Sequence, residues 1–320
     1  MNAYDLLQKT DPICSPGWTF AGRSFCELMF ALPPRARVRL EGAENLPKKP
    51  SLFCPNHTHK LDFLPFRAAL LRHNGMQLMT WVKARDFKAP LMRWVLGNGG
   101  SIPMVSRGYL IAADFHAVMG RKPTEAEYRQ LRDHIDQGHP LDTTMIRLLG
   151  PRRIAGVAVD FWGGYRLALL SAYETLMGES LRHARRGQGL GRHQHIYPQG
   201  ARSSQLTPGR IGAVQVAVAL DLPIVPVGIS GCREAFIGPV GPLTRGSEVV
   251  VRIGRPMSVQ GVVPYGFRPF HWADEDRYRD PLTEATERVM EAINELCEPG
   301  YRWAPDLRSD AKQGIPRFYD

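Results

Sequence analysis

The chain lacks any run of the roughly 18 uninterrupted apolar residues that a membrane-spanning helix requires, so no spanning helix is expected in these 320 residues. Cysteine is scarce: Cys14, Cys26, Cys54, Cys232 and Cys297 are odd in number and contain no CxxC pair. That excludes a disulfide framework and favours reduced thiols in a cytoplasmic compartment. The opening MNAYDLLQKTDP has no basic-then-apolar layout, so a secretory signal is not expected there. Acidic residues are also in deficit, 31 against 41 Lys and Arg, giving a net charge of +10. Such a balance favours anionic partners: phosphorylated substrates, acidic membranes or nucleic acid. No helix-turn-helix or RNA-binding block accompanies the charge, so nucleic acid is not an expected partner.

What is present is an ordinary globular composition, 43% hydrophobic and 22% charged. Val38 and Leu40, then Ser51–Cys54, read as two short strands joined by EGAENLPKKP, which is rich in turn formers. A helix over Phe63–Arg72, a strand over Met76–Val82, a helix over Ala89–Leu96 and a strand over Ser101–Val105 continue an α/β alternation. From Tyr109 to Trp162 the pattern becomes charged and helical with no clear buried strand, and is read as an insertion. A long helix over Tyr165–Arg186 ends at GQGLG, because glycine punctuates helix C-termini. A strand follows over His195–Tyr197, then an apolar helix over Ile211–Leu220, strands in LPIVPVGIS and VVVRIGRP, and an amphipathic helix over Pro281–Cys297. The tail after Pro299 is polar and is expected to wrap the surface. Trp18–Leu32 has aromatic and aliphatic residues broken by Arg23 and Glu27; it suits a bilayer interface or an ordinary helix on the core.

Two stretches at strand ends carry reactive side chains. In Asn56-His57-Thr58-His59-Lys60-Leu61-Asp62 an imidazole and a carboxylate are close enough to form a base with an orienting partner. On one ideal helix five positions would leave them about 140° apart. They meet only if His57 lies in a turn and Asp62 in the helix that follows. Alone, the pair is equally a loop histidine and an aspartate at the positive end of a helix dipole. In Tyr197-Pro198-Gln199-Gly200-Ala201-Arg202-Ser203-Ser204, the Pro and Gly turn the chain, and Arg202 with two hydroxyls forms a donor fork suited to phosphate. A solvated surface arginine would look the same.

Other signals weigh less. Cys54, His57, His59, His193 and His195 are zinc-ligand types without a zinc spacing. The GISGC stretch lacks the last glycine of a nucleophile elbow, and Gly97–Gly100 lacks the lysine of a P-loop. The basic run Arg182–His195 fits a solvated helix end or a contact to anionic phosphates.

Taken together and in order, NHTHKLD at 56–62, Lys83 through IPMVSR ending at Arg107, YPQGARSS at 197–204 and LPIVPV at 222–227 resemble the glycerolipid acyltransferase family of the lysophosphatidic acid type. The flanks RVRLEGAENLP and VVVRIGRPM are also similar, so the resemblance covers about residues 36–258 outside the insertion. It implies a glycerol-3-phosphate acyltransferase-like α/β fold, with a central mostly parallel or mixed sheet flanked by helices. An N-terminal helical element (1–35) precedes the acyltransferase domain (36–262), which holds a lid-like insertion at 109–163; a C-terminal helix and tail (263–320) follow. The resemblance further implies His57 as general base, Asp62 as its orienting partner, and Lys83, Arg107, Gln199, Gly200, Arg202 and Ser203 as substrate-binding residues. No cofactor is implied. The donor would be an acyl-CoA or acyl carrier protein thioester, the acceptor a hydroxyl of an anionic or polar lipid, and the location the inner face of a membrane as a peripheral protein. Gln199 stands where the family has glutamate and Ala201 where it has threonine, which sets glycerol phosphate itself aside as the assured acceptor. An amine acceptor and a catalytically silent lipid-binding protein are the alternatives.

Overall fold

The computed structural model describes residue 30 and residues 36–159, 164–238 and 243–306, with the side chains of 146 and 147 left aside. Nine strands are described: β1 (Arg37–Glu41), β2 (Leu52–Pro55), β3 (Leu78–Lys83), β4 (Ser101–Met104), β5 (Arg152–Ile154), β6 (Val157–Val159), β7 (His193–His195), β8 (Ile224–Ser230) and β9 (Glu248–Ile253). The helices are α1 (Phe63–Asn74), α2 (Pro90–Asn98), α3 (Arg107–Met119), α4 (Glu125–Gln137), α5 (Gly164–Gly189), α6 (Gly212–Leu220), α7 (Cys232–Ala235), α8 (Trp272–Arg277) and α9 (Arg279–Leu296). Seven strands form one sheet in the order β1-β9-β8-β2-β7-β3-β4. Every neighbouring pair is parallel except β8 with β9. The chain is thus a mixed α/β protein with a central, mostly parallel sheet flanked by helices.

Buried on both faces, the central strands must be apolar on both. In β2, Leu52 and Cys54 join one core while Phe53 points to the other with Phe66 and Leu70 of α1. In β8, Val225, Val227 and Ile229 fill the α1 side. On its other side Gly228 lets α9 approach so closely that a Cβ there would lie 2.5 Å from the Leu296 carbonyl oxygen. Helix α5, 26 residues long, buries Tyr165, Leu169, Ala172, Leu176 and Leu181 in the larger core. It ends at Gly189, three residues past the expected Arg186.

Between β4 and α5, Leu110, Ile111, Phe115, Leu131, Ile135, Met145 and Leu148 belong to that same core, so the insertion shares its packing with the sheet. Where no strand was expected, Arg152–Ile154 and Val157–Val159 form an antiparallel hairpin. Three-residue strands are too short to show a period. The strand expected at His195–Tyr197 lies instead at His193–His195, where three polar residues are buried between β2 and β3. The tail is less peripheral than expected, because Leu206 N–H donates to the Tyr301 and Arg302 carbonyls and Ala304 N–H to that of Leu206. Trp18–Leu32 lies outside the described residues apart from Phe30, which is buried in the α1-side core. No described helix is long and apolar enough to cross a membrane.

Candidate active site

Strand β2 delivers Asn56 and His57 to the C-terminal edge of the sheet. The Asn56 amide grips the backbone of β8 at both ends, donating to the Ile229 carbonyl at 2.9 Å and accepting from Ile229 N–H at 2.7 Å. This pair of hydrogen bonds between strand ends fixes where His57 starts. Residues 57–61 then turn, and Asp62 sits at the N-cap of α1. Its carboxylate does not cap its own helix. It turns back into the loop, where Oδ2 accepts from His57 Nδ1 at 2.9 Å, Thr58 N–H at 3.0 Å and His59 N–H at 3.2 Å. The strand-turn-helix arrangement therefore closes the 140° gap that a continuous helix would leave.

Asp62 is completely buried. Burial alone would raise its pKa, but the attraction of the His57 ring when it is protonated and hydrogen bonds from His57, Tyr197 and His59 outweigh it and hold the carboxyl below its ordinary value. An ionised carboxylate only accepts, so His57 Nδ1 carries the proton facing it and Nε2 is the acceptor nitrogen of the neutral ring. The His57 side chain is 18% exposed, enough for a substrate to reach that nitrogen.

The other wall comes from the loop after β7. Tyr197 lies flat on the imidazole, with ring centroids 3.9 Å apart and planes 15° off parallel, and its hydroxyl donates to Asp62 Oδ1 at 2.6 Å. Burial and the adjacent carboxylate push the phenol pKa well above its usual value, so it stays a donor. Behind it, His195 meets Tyr197 edge-on at 4.6 Å and Phe66 at 5.3 Å. Burial drives His195 down to about 3 and keeps it neutral.

Gln199 is buried. Its Oε1 accepts from His57 N–H at 2.8 Å, and its Nε2 donates to Thr207 Oγ1 at 3.0 Å. Ser203 N–H donates back to the His57 carbonyl at 3.0 Å. The loop is thus tied to the histidine on both sides through backbone, and Gln199 serves that tie rather than facing solvent. Gly200 adopts φ 66°, the left-handed turn that lets Arg210 Nε reach the Gln199 carbonyl at 3.0 Å. Thr58 Oγ1 and Ser203 Oγ are buried with no hydrogen-bond partner among the described residues.

Of the residues singled out from the sequence, His57, Asp62, Gln199, Gly200 and Ser203 converge here. Arg202 is exposed on the same loop. Lys83 ends β3, which runs parallel to β7 and through it to β2, so it shares the sheet edge with His57. Arg107, expected among the substrate-binding cations, is instead a buried strut. Its guanidinium is 8% exposed and lies 2.6 Å from Glu275 and 3.3 Å from Asp136. Tyr197 and Asn56 stand inside the quoted blocks, but only the geometry reveals their parts. The histidines and Cys54 form no metal cluster: no group of three or more His, Cys, Asp or Glu suited to a metal occurs among the described residues.

A comparison with curated proteins found no match. Among solved structures, the crystal structure of the 1-acyl-sn-glycerophosphate (LPA) acyltransferase from Thermotoga maritima is similar at 17% identity and a TM-score of 0.45, covering 86% of this chain and 78% of that one. Residues 37–139 match the family model described as Acyltransferase. That span contains β1, the His57–Asp62 turn and Lys83, so the similarity to that family falls on the part of the chain that carries the histidine and its carboxylate.

Proposed function

We propose that the chain transfers a fatty acyl group from a thioester, acyl-CoA or acyl carrier protein, to a hydroxyl of a lysophospholipid-like acceptor, with His57 as general base. The observation that carries this reading is the Nδ1 contact of His57 to a buried, ionised Asp62. It directs Nε2 outward as the proton acceptor. Nε2 takes the acceptor's hydroxyl proton as its oxygen bonds to the thioester carbonyl carbon. The tetrahedral intermediate then expels the thiolate, the C–S bond breaks, and the imidazolium returns the proton to sulfur. Asp62 stabilises the imidazolium between the two steps, and no protein nucleophile is needed. Arg202 and Lys83 are assigned to the acceptor's anionic group, and the Thr58 and Ser203 hydroxyls to polar atoms of the bound substrates.

Gln199 does not weaken the reading. Its carbonyl oxygen holds the His57 backbone, a role that a neutral amide fills as well as a carboxylate. That favours an active enzyme over a silent lipid-binding protein. The test is acceptor-dependent release of thiol from a panel of acyl-CoA and acyl carrier protein donors, with mass spectrometry of the product. An ester product is expected. An amide product would transfer the reading to amine acceptors, and lipid binding without release would replace it with the silent protein.

A further inference from the structure

Nine large hydrophobic residues are exposed among the described residues, and four of them fall on the nine-residue helix α2: Leu91 at 69%, Met92 at 43%, Trp94 at 57% and Val95 at 37%. The other five are scattered through the sequence. Positions 91, 94 and 95 have the i, i+3, i+4 spacing that places them in one stripe, with Met92 beside it. The opposite face anchors the helix: Gly97 is buried, Leu96 packs on the core, and Arg93 folds back to the Phe87 and Lys88 carbonyls at 3.4 Å each. The apolar stripe is therefore the side the fold leaves outward.

Around it the charge is mostly positive, with Asp86 paired to Arg85 at 3.8 Å. Lys83, Arg85, Lys88 and Arg93 stand against Asp86 alone between 83 and 98, and Arg85 and Lys88 are exposed. Because β3 runs parallel to β7 and β2, the turn at 84–87 and the start of α2 leave the sheet at the edge where His57 lies. An apolar, aromatic stripe collared by cations matches a bilayer carrying anionic headgroups.

We propose that α2 and the turn before it dock this protein on an anionic lipid surface, with Leu91, Met92, Trp94 and Val95 entering the boundary between headgroups and acyl chains. Arg85 and Lys88 meet the lipid phosphates. Docking in this orientation presents the His57 edge to the layer that holds a lipid acceptor. The inference rests on the catalytic reading for that last point alone, and vesicle binding tests it without any turnover.

The experiment is sedimentation with vesicles of phosphatidylcholine alone and with about one third phosphatidylglycerol, comparing wild type with the Leu91→Ser/Val95→Ser and Arg85→Gln/Lys88→Gln pairs. Trp94 fluorescence, assigned by difference from Trp94→Phe, is followed with acrylamide and with brominated lipid. Binding to the anionic vesicles, weakened by salt and by about ten-fold or more in either pair, with Trp94 quenched by brominated lipid, is expected. Thermal melting and turnover of short-chain, water-soluble substrates should be unchanged in the serine pair, which separates lost docking from lost folding or lost catalysis. Equal vesicle binding by that pair, or none by wild type, overturns the proposal. So does a dimer that the serine pair dissolves, which would make the occupant a second copy. Shielding of Trp94 from acrylamide before vesicles are added would make it a segment of the chain itself.

Discussion

Replacing Tyr197 by Phe removes the hydroxyl oxygen and leaves the ring. The ring that stacks on His57 at 3.9 Å stays, while the hydroxyl that donates to Asp62 Oδ1 at 2.6 Å is lost. A hydrogen bond to a charged group contributes about 1.5–3 kcal/mol, and Asp62 is buried, so a stability loss of that size is expected in urea unfolding. Catalysis should suffer less, because Oδ2 keeps its bonds to His57, Thr58 and His59. A kcat loss of about ten-fold or less is expected, roughly 1.4 kcal/mol. A loss as deep as that of Asp62→Asn would refute the reasoning, since it would make the phenol itself a reacting group. Unchanged stability would show that the hydrogen bond carries nothing.

Two further outcomes follow from burial and charge. Burial holds His195 to about 3 and His193 to about 4. Below roughly pH 6.5 the unfolded chain therefore takes up protons that the folded one does not, and each buried histidine makes stability fall by about 1.4 kcal/mol per pH unit on acidification. His195→Gln should flatten the dependence by that amount between pH 6 and 4.5; an unchanged slope in urea unfolding would contradict it. Arg107→Met leaves Glu275 and Asp136, which burial already pushes up against the attraction of Arg107, without their cation. A stability loss of about 3–5 kcal/mol is expected, with acceptor KM unchanged. A raised KM at full stability would return Arg107 to the substrate.

The sheet was legible because β-branched runs such as IVPV in β8 and EVVV in β9 have no other comfortable place than between two helical layers. The His57–Asp62 turn was legible because strand, turn and helix signals fall in the right order within seven residues. Strand β7 was displaced because His193, Gln194 and His195 are polar by type yet buried, with Gln194 accepting from Trp81 Nε1 at 3.2 Å and His195 Nδ1 lying 3.2 Å from Thr80 Oγ1. Such satisfaction depends on a strand more than a hundred residues away in the chain. Arg107 illustrates the same limit: a cation before a helix suits a substrate phosphate as well as a buried acid, and Glu275 lies 168 positions further on. For Gln199, comparison of residue types suggested a lost charge at the substrate, whereas the fold turns the amide onto the His57 backbone.

The central claim is that His57, oriented by Asp62, takes the acceptor's proton. Its most direct test is the rate of acceptor-dependent thiol release from acyl donors by wild type, His57→Ala, Asp62→Asn and the double variant, each first shown to melt as a folded protein. The account predicts that His57→Ala and Asp62→Asn each lose about 10³-fold or more in kcat, and that the double variant loses little beyond the worse single, as members of one catalytic unit do. Release that persists within about ten-fold in His57→Ala would contradict it, and the base would have to be sought elsewhere on the same edge of the sheet.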